Sequence, residues 1–143
     1  MALVNCNLAP FINQRFVVTG AWGEPRSGHI HAGIDLATVG SGGVGQPVCS
    51  MSDGVVSYVD YDGSSGSGYG PYLIIKDLSN MDLWLYGDLS NNPPVTYGQH
   101  IVRGQIIGYE GNPSGTSSTG LHVHVEKENH KIFIDFGTQN TYL

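Results

Sequence analysis

Basic residues are scarce in this sequence. Six lysines and arginines stand against twelve aspartates and glutamates in 143 residues, giving a formal net charge of −6. Nucleic-acid binding rests on clustered Lys and Arg that neutralise phosphates. Arg15, Arg26, Lys76, Arg103, Lys127 and Lys131 are scattered, so that class of partner is excluded. Cysteine is scarcer still. Cys6 and Cys49 form no C-x-x-C pair of the kind that holds metal or runs redox chemistry, and two free buried thiols are expected rather than a disulfide. No stretch reaches the roughly 18 apolar residues of a membrane span, and residues 1–15 lack the basic start and apolar run of a secretory signal. Helical periodicity is missing too: no window of about eleven residues keeps apolar positions at i, i+3, i+4 and i+7 without a Gly or Pro. Very little helix is expected.

What the sequence has is glycine, 21 copies in short clusters, and between the clusters short β-branched and aromatic segments. These are 15-RFVVTG, 46-QPVCSM, 54-GVVSYVDY, 72-YLIIKDL, 82-DLWLYGDL, 100-HIVRGQIIGY, 121-LHVHVEK and 131-KIFIDF. Such segments, punctuated by turns, predict an all-β fold, an antiparallel sandwich or open barrel. The length fits a single domain over residues 1–143. Long Gly-rich loops are expected at 37-ATVGSGGVG, 61-YDGSSGSGYG and 111-GNPSGTSSTG, and loops on a rigid sheet commonly carry binding groups.

Four of the six histidines fall in two pairs, His29/His31 and His122/His124, and Asp35 follows the first. In 121-LHVHVE the alternation turns His122 and His124 to one face, their Cα atoms roughly 7 Å apart. Along an extended strand His31 and Asp35 would lie roughly 13 Å apart, too far to share an ion bound at about 2 Å. The chain must therefore bend between them, and Gly33 is expected to supply a special backbone angle there. Two neutral imidazoles and one carboxylate leave a coordination position open for water, as catalytic zinc requires, and zinc so held suits amide hydrolysis. The same donors also suit Fe(II) in a non-haem oxygenase, although H-x-D spacing would be expected there rather than H-x-x-x-D. The residues alone do not choose between His122 and His124 as ligand. His100 and His130 stand alone and are read as non-functional.

The order of motifs from about residue 17 to 127 resembles the lysostaphin-like (LytM-type) M23 zinc endopeptidases. The segments are 17-VVTGAWGEPR, 31-HAGIDLA, 46-QPVCSMSDGVVSYV, 69-YGPYLIIK, 86-YGDLS, 98-GQHIVRGQIIGYEGNPSGTSSTG and 121-LHVHVE. The resemblance implies a zinc groove with His31, Asp35 and His124 as metal ligands and His122 as a free histidine beside the metal. It leaves His29 as a loop residue near the groove. Where the family reads Tyr-x-His-Leu, this chain has Tyr86-Gly87-Asp88-Leu89, so Asp88 takes the place of the second catalytic histidine. A carboxylate there can serve as general base but cannot reproduce an imidazolium facing an oxyanion.

The implied function is zinc-dependent endopeptidase action on stem peptides or cross-bridges of bacterial peptidoglycan. The alternative, prompted by Asp88, is a peptidase-like module that grips wall peptides without cutting them. Wall peptides are the expected partner, with no nucleic acid and no membrane, for a monomer or a component of a larger virion assembly. With no leader read in residues 1–15, delivery to the wall by a phage particle or by lysis is expected.

Overall fold

The computed structural model describes residues 3–4, 10–12, 14–21, 23–26, 28–112, 120–127, 133–134 and 139–142. Among them there is no helix. The strands are β1 (Leu3–Val4), β2 (Gln14–Gly20), β3 (Pro25–Arg26), β4 (His29–Ile30), β5 (Ile34–Thr38), β6 (Pro47–Cys49), β7 (Gly54–Asp60), β8 (Tyr72–Lys76), β9 (Leu83–Gly87), β10 (His100–Ile101), β11 (Ile106–Tyr109), β12 (Val123–Lys127), β13 (Phe133–Ile134) and β14 (Gln139–Tyr142). Eight of them build one sheet in the order β10-β7-β8-β9-β12-β5-β2-β14, antiparallel at every pairing. β6 and β11 form a separate antiparallel pair, β3 and β4 a small hairpin, and β1 pairs with β13 in parallel.

Alternation along the strands divides the main sheet into two chemically different faces. Val123 and Val125 of β12 are fully buried, and Val125 faces Tyr86 of β9, which faces Leu73 of β8. These join Phe16, Leu36, Val56, Ile75 and Trp84 in one core, closed by Val48 of β6, Ile107 of β11 and Phe11. Each such side chain contributes roughly 1.5–3 kcal/mol by leaving water. The buried Tyr86 hydroxyl accepts the Met51 amide at 2.9 Å, and burial pushes its ionisation above the usual range. The residues between, Asp35, His124 and Glu126, lie on the other face.

Several expectations change in the structure. The run 100-HIVRGQIIGY is two strands, because Gly104, at φ 89°, and the bond from the Gln105 amide to the Val102 carbonyl turn the chain. β10 then pairs with β7, and β11 with β6. Segment 34–38, read from sequence only as a metal motif, is a central strand paired on both sides. It takes Ala37 and Thr38 from the expected loop. The β3–β4 hairpin and β14 had no signal strong enough to be expected. Gly33 has no positive φ. Its reason is steric: a Cβ there would stand 2.4 Å from the Val125 carbonyl oxygen and 2.8 Å from His124 Nε2. Cys49 is a buried free thiol, pushed up in pKa by burial. Cys6, residues 113–119 of the third loop and most of 131-KIFIDF lie outside the described residues.

Candidate metal centre

Antiparallel pairing of β5 with β12 sets His124 opposite Asp35. His31 precedes β5 across a bend at Gly33 and turns back toward the same point. His31 Nε2 is 3.1 Å from His124 Nδ1 and 3.3 Å from Asp35 Oδ1, and His124 Nδ1 is 2.9 Å from Asp35 Oδ1. Both histidines are more than nine-tenths buried.

The outward nitrogens fix the tautomers. His31 Nδ1 donates to the Ala21 carbonyl at 2.8 Å, and His124 Nε2 donates to Glu126 Oε1 at 2.8 Å. The Tyr69 hydroxyl also donates to Glu126 Oε1, at 3.0 Å. When both rings are neutral, the nitrogens facing Asp35 are thereby left as lone pairs, so three acceptors converge on one point. Such a triangle is reconciled by a cation. Tetrahedral zinc with bonds of about 2.0–2.1 Å spaces its ligand atoms by roughly 3.3 Å, close to the separations seen. The residues present fit zinc, and outward hydrogen bonds of this type orient and polarise ligating histidines.

Electrostatics agree with an anionic pocket. Burial alone would raise Asp35, but hydrogen bonds from His124 and His31, and their charge, hold it well below the usual carboxylate range. Burial alone would lower His124, but the carboxylates of Asp35 and Glu126 push it up to about 9. The second oxygen of Asp35 lies 3.5 Å from Arg26 Nη2 of the β3–β4 hairpin. At Gly20, opposite Asp35, a Cβ would stand 2.4 Å from that oxygen.

A second pair adjoins this centre. Asp88 follows β9 in the left-handed region, at φ 55°, a conformation that short polar residues tolerate. Its amide donates to the Tyr69 carbonyl at 2.7 Å. His122 Nδ1 donates to the Gly120 carbonyl at 2.9 Å, and His122 Nε2 is 3.1 Å from Asp88 Oδ2. With an acceptor at each ring nitrogen, the imidazolium is favoured. Burial opposes that, but the bonds to Asp88 and Gly120 dominate and raise the His122 pKa. Asp35, Asp88 and His122 offer atoms within 4.8 Å of one another.

The backbone around this pair is tied to the fully buried Glu110. Leu89, next to Asp88, bridges to Glu110, and Gly111 bridges to His122. The Glu110 carboxylate accepts from the Thr38 amide (2.9 Å), the Thr38 hydroxyl (2.6 Å) and the Gln46 amide (3.0 Å). The strand carrying Asp35 is thus fastened to the segment positioning Asp88 and His122.

The structure therefore brings His31, Asp35 and His124 into one triangle and sets Asp88 with His122 beside it. His29 lies in β4 rather than in a loop, because the β3–β4 hairpin takes it up. His100 is exposed on β10 at the edge of the main sheet, and His130 lies outside the described residues. Sequence reasoning missed Glu126, Tyr69, Arg26 and Glu110. Glu126 had a signal, since a residue two after His124 on a strand shares its face. Tyr69 and Glu110 meet the site through long-range folding alone, and Arg26 through the short β3–β4 hairpin beside β5.

Solved structures carry the same architecture. The catalytic domain of the prophage-encoded M23 protein EnpA from Enterococcus faecalis, solved as a mutant, is 29% identical, with TM-score 0.65, and the match covers 94% of each chain. The solution structure of lysostaphin is 26% identical at TM-score 0.60, covering 77% of this chain and 42% of lysostaphin. A zinc-containing peptidase from Vibrio cholerae is 28% identical at TM-score 0.62, covering 87% of this chain and 36% of that one. The present chain thus spans less than half the length of the last two. The model of peptidase family M23 matches residues 29–135, and the chain belongs to that family.

Proposed function

We propose that this protein is a zinc-dependent endopeptidase that hydrolyses peptide bonds in bacterial peptidoglycan, acting on the wall from outside as a phage lysin or virion component. The observation that carries the reading is the triangle of His31 Nε2, Asp35 Oδ1 and His124 Nδ1, three lone-pair donors within 2.9–3.3 Å of one another. Similarity to a prophage-encoded M23 protein and to lysostaphin supports the wall and phage assignments.

Zinc held by these residues would polarise the scissile carbonyl and acidify a water molecule. The Asp88 carboxylate would take the proton of the attacking water as the water oxygen adds to the scissile carbonyl carbon. His122, protonated at Nε2 and anchored through Nδ1 on Gly120, delivers a proton to the departing amine. The two share the roles of base and acid across their 3.1 Å contact. Arg26, on the far oxygen of Asp35, balances part of the negative charge of the pocket.

The test is incubation of zinc-loaded protein with purified sacculi, with and without a chelator. New amine ends that appear only with zinc are expected, and mass spectrometry of the fragments would name the bond. Absence of new amine ends under every zinc condition would refute the hydrolase reading and leave a module that binds wall peptides uncut.

A further inference from the structure

The site face of the main sheet continues well beyond the metal centre. Glu126 of β12 faces Leu85 of β9, which faces Ile74 of β8, which faces Tyr58 of β7. Tyr58 and Tyr72, two residues before Ile74, therefore share the face of His124. Tyr69 enters from the loop between β7 and β8 and lies over Gly87, 3.5 Å from where a Cβ would stand. The rings form an unbroken file. Centroids are separated by 5.6 Å from His124 to Tyr69, 5.2 Å from Tyr69 to Tyr72 and 5.1 Å from Tyr72 to Tyr58.

The file ends in the open, with Tyr58 40% exposed, and it is preformed. The Asp60 carboxylate accepts the amides of Asp62, Gly63 and Ser65 at 2.9–3.3 Å, which fixes the start of the loop that delivers Tyr69. Its far end is pinned by the Asp88 and Leu89 amides on the Tyr69 and Pro71 carbonyls. The Tyr61 hydroxyl donates to the Val95 carbonyl at 2.6 Å. A rigid aromatic surface costs little ordering when it takes a ligand. The file offers ring faces and phenol groups, which suit an extended peptide.

We infer that Tyr69, Tyr72 and Tyr58 form a shelf on which the substrate peptide lies, to one side of the bond cut, and that its length sets how many residues are recognised. This rests on the peptidase reading above. Steps of 5.6, 5.2 and 5.1 Å correspond to roughly four to five residues of extended peptide at about 3.3 Å each.

The experiment uses zinc-loaded protein carrying His122→Ala, so that ligands are held uncut. Peptides released from sacculi by an amidase and fractionated by length serve as probes, with affinity measured by calorimetry. Affinity should rise with each added residue up to about five and then level. Adding Tyr58→Ser should weaken the longest peptides about tenfold and leave the shortest unchanged, while Tyr58→Phe should restore them. Thermal unfolding of each variant checks that the sheet is intact. Equal affinity of the Tyr58→Ser and Tyr72→Ser variants for every length, or no binding of any peptide, would overturn the shelf. Cutting of sacculi by the natural sequence is scored separately. Binding that depends on Tyr58 without cutting would remove the hydrolase and keep the shelf, and cutting that ignores both tyrosines would do the reverse.

Discussion

His124 and Glu126 lie two residues apart on one strand, and Nε2 of the first donates to Oε1 of the second across 2.8 Å. That bond decides which nitrogen of His124 faces the metal position. Replacing Glu126 by Ala should lower zinc affinity about 10- to 100-fold, read by competition with a chromogenic chelator. Glu126→Gln should fall between the two, because it keeps an acceptor but not the charge. Equal zinc affinity in all three proteins would remove Glu126 from the metal site.

The pH response should differ in sign between metal-free and zinc-loaded protein. In the metal-free form His124 is raised from 6.5 to about 9. Its contribution to stability is then fully present below about pH 6.5 and is lost as pH rises through 9. Zinc requires the neutral imidazole, so its affinity strengthens over the same interval. Thermal unfolding between pH 6 and 9 should show the chelated protein losing stability while the increment given by zinc grows. Parallel curves would contradict the assignment.

Asp88 and His122 are expected to govern turnover and not metal retention. Asp88→Asn tolerates the left-handed backbone yet cannot accept a proton, and should reduce kcat about 10²- to 10⁴-fold with zinc content unchanged by elemental analysis. Loss of zinc together with activity would make Asp88 a ligand instead.

Gly33→Ala tests why glycine stands there. A methyl group would press on the Val125 carbonyl and His124, and overpacking of this kind costs about 1–3 kcal/mol. Chemical denaturation should register that loss, together with weaker zinc binding. A neutral outcome would show that β5 can move away from β12.

Spacing brought the candidate residues into view, since His122-x-His124 reads as one face of a strand and His31-x-x-x-Asp35 demands a bend, but the choice of His124 over His122 came from the family resemblance and not from spacing. The strand character of 34–38 was harder to see, since IDLAT carries the charge of Asp35 inside a short segment that is paired on both sides. Gly33 was assigned to the right place for the wrong reason, because close approach of two strands leaves no local trace in the chain. Arg26, Tyr69 and Glu110 reach the site from 9, 57 and 72 positions away from Asp35, Glu126 and Thr38 respectively. Contacts across such intervals are set by strand order, which composition and periodicity do not encode.

The backbone at Asp88 also limits what can replace it. At φ 55° a β-branched or bulky aliphatic side chain is strained, whereas Asn, Asp and His are the non-glycine residues most often found in that region. Exchange between a carboxylate and an imidazole at this turn is consequently cheap in conformational terms. The scaffold can swap one proton-handling group for another here without rebuilding the loop, while an inert aliphatic substitute carries a folding penalty of its own.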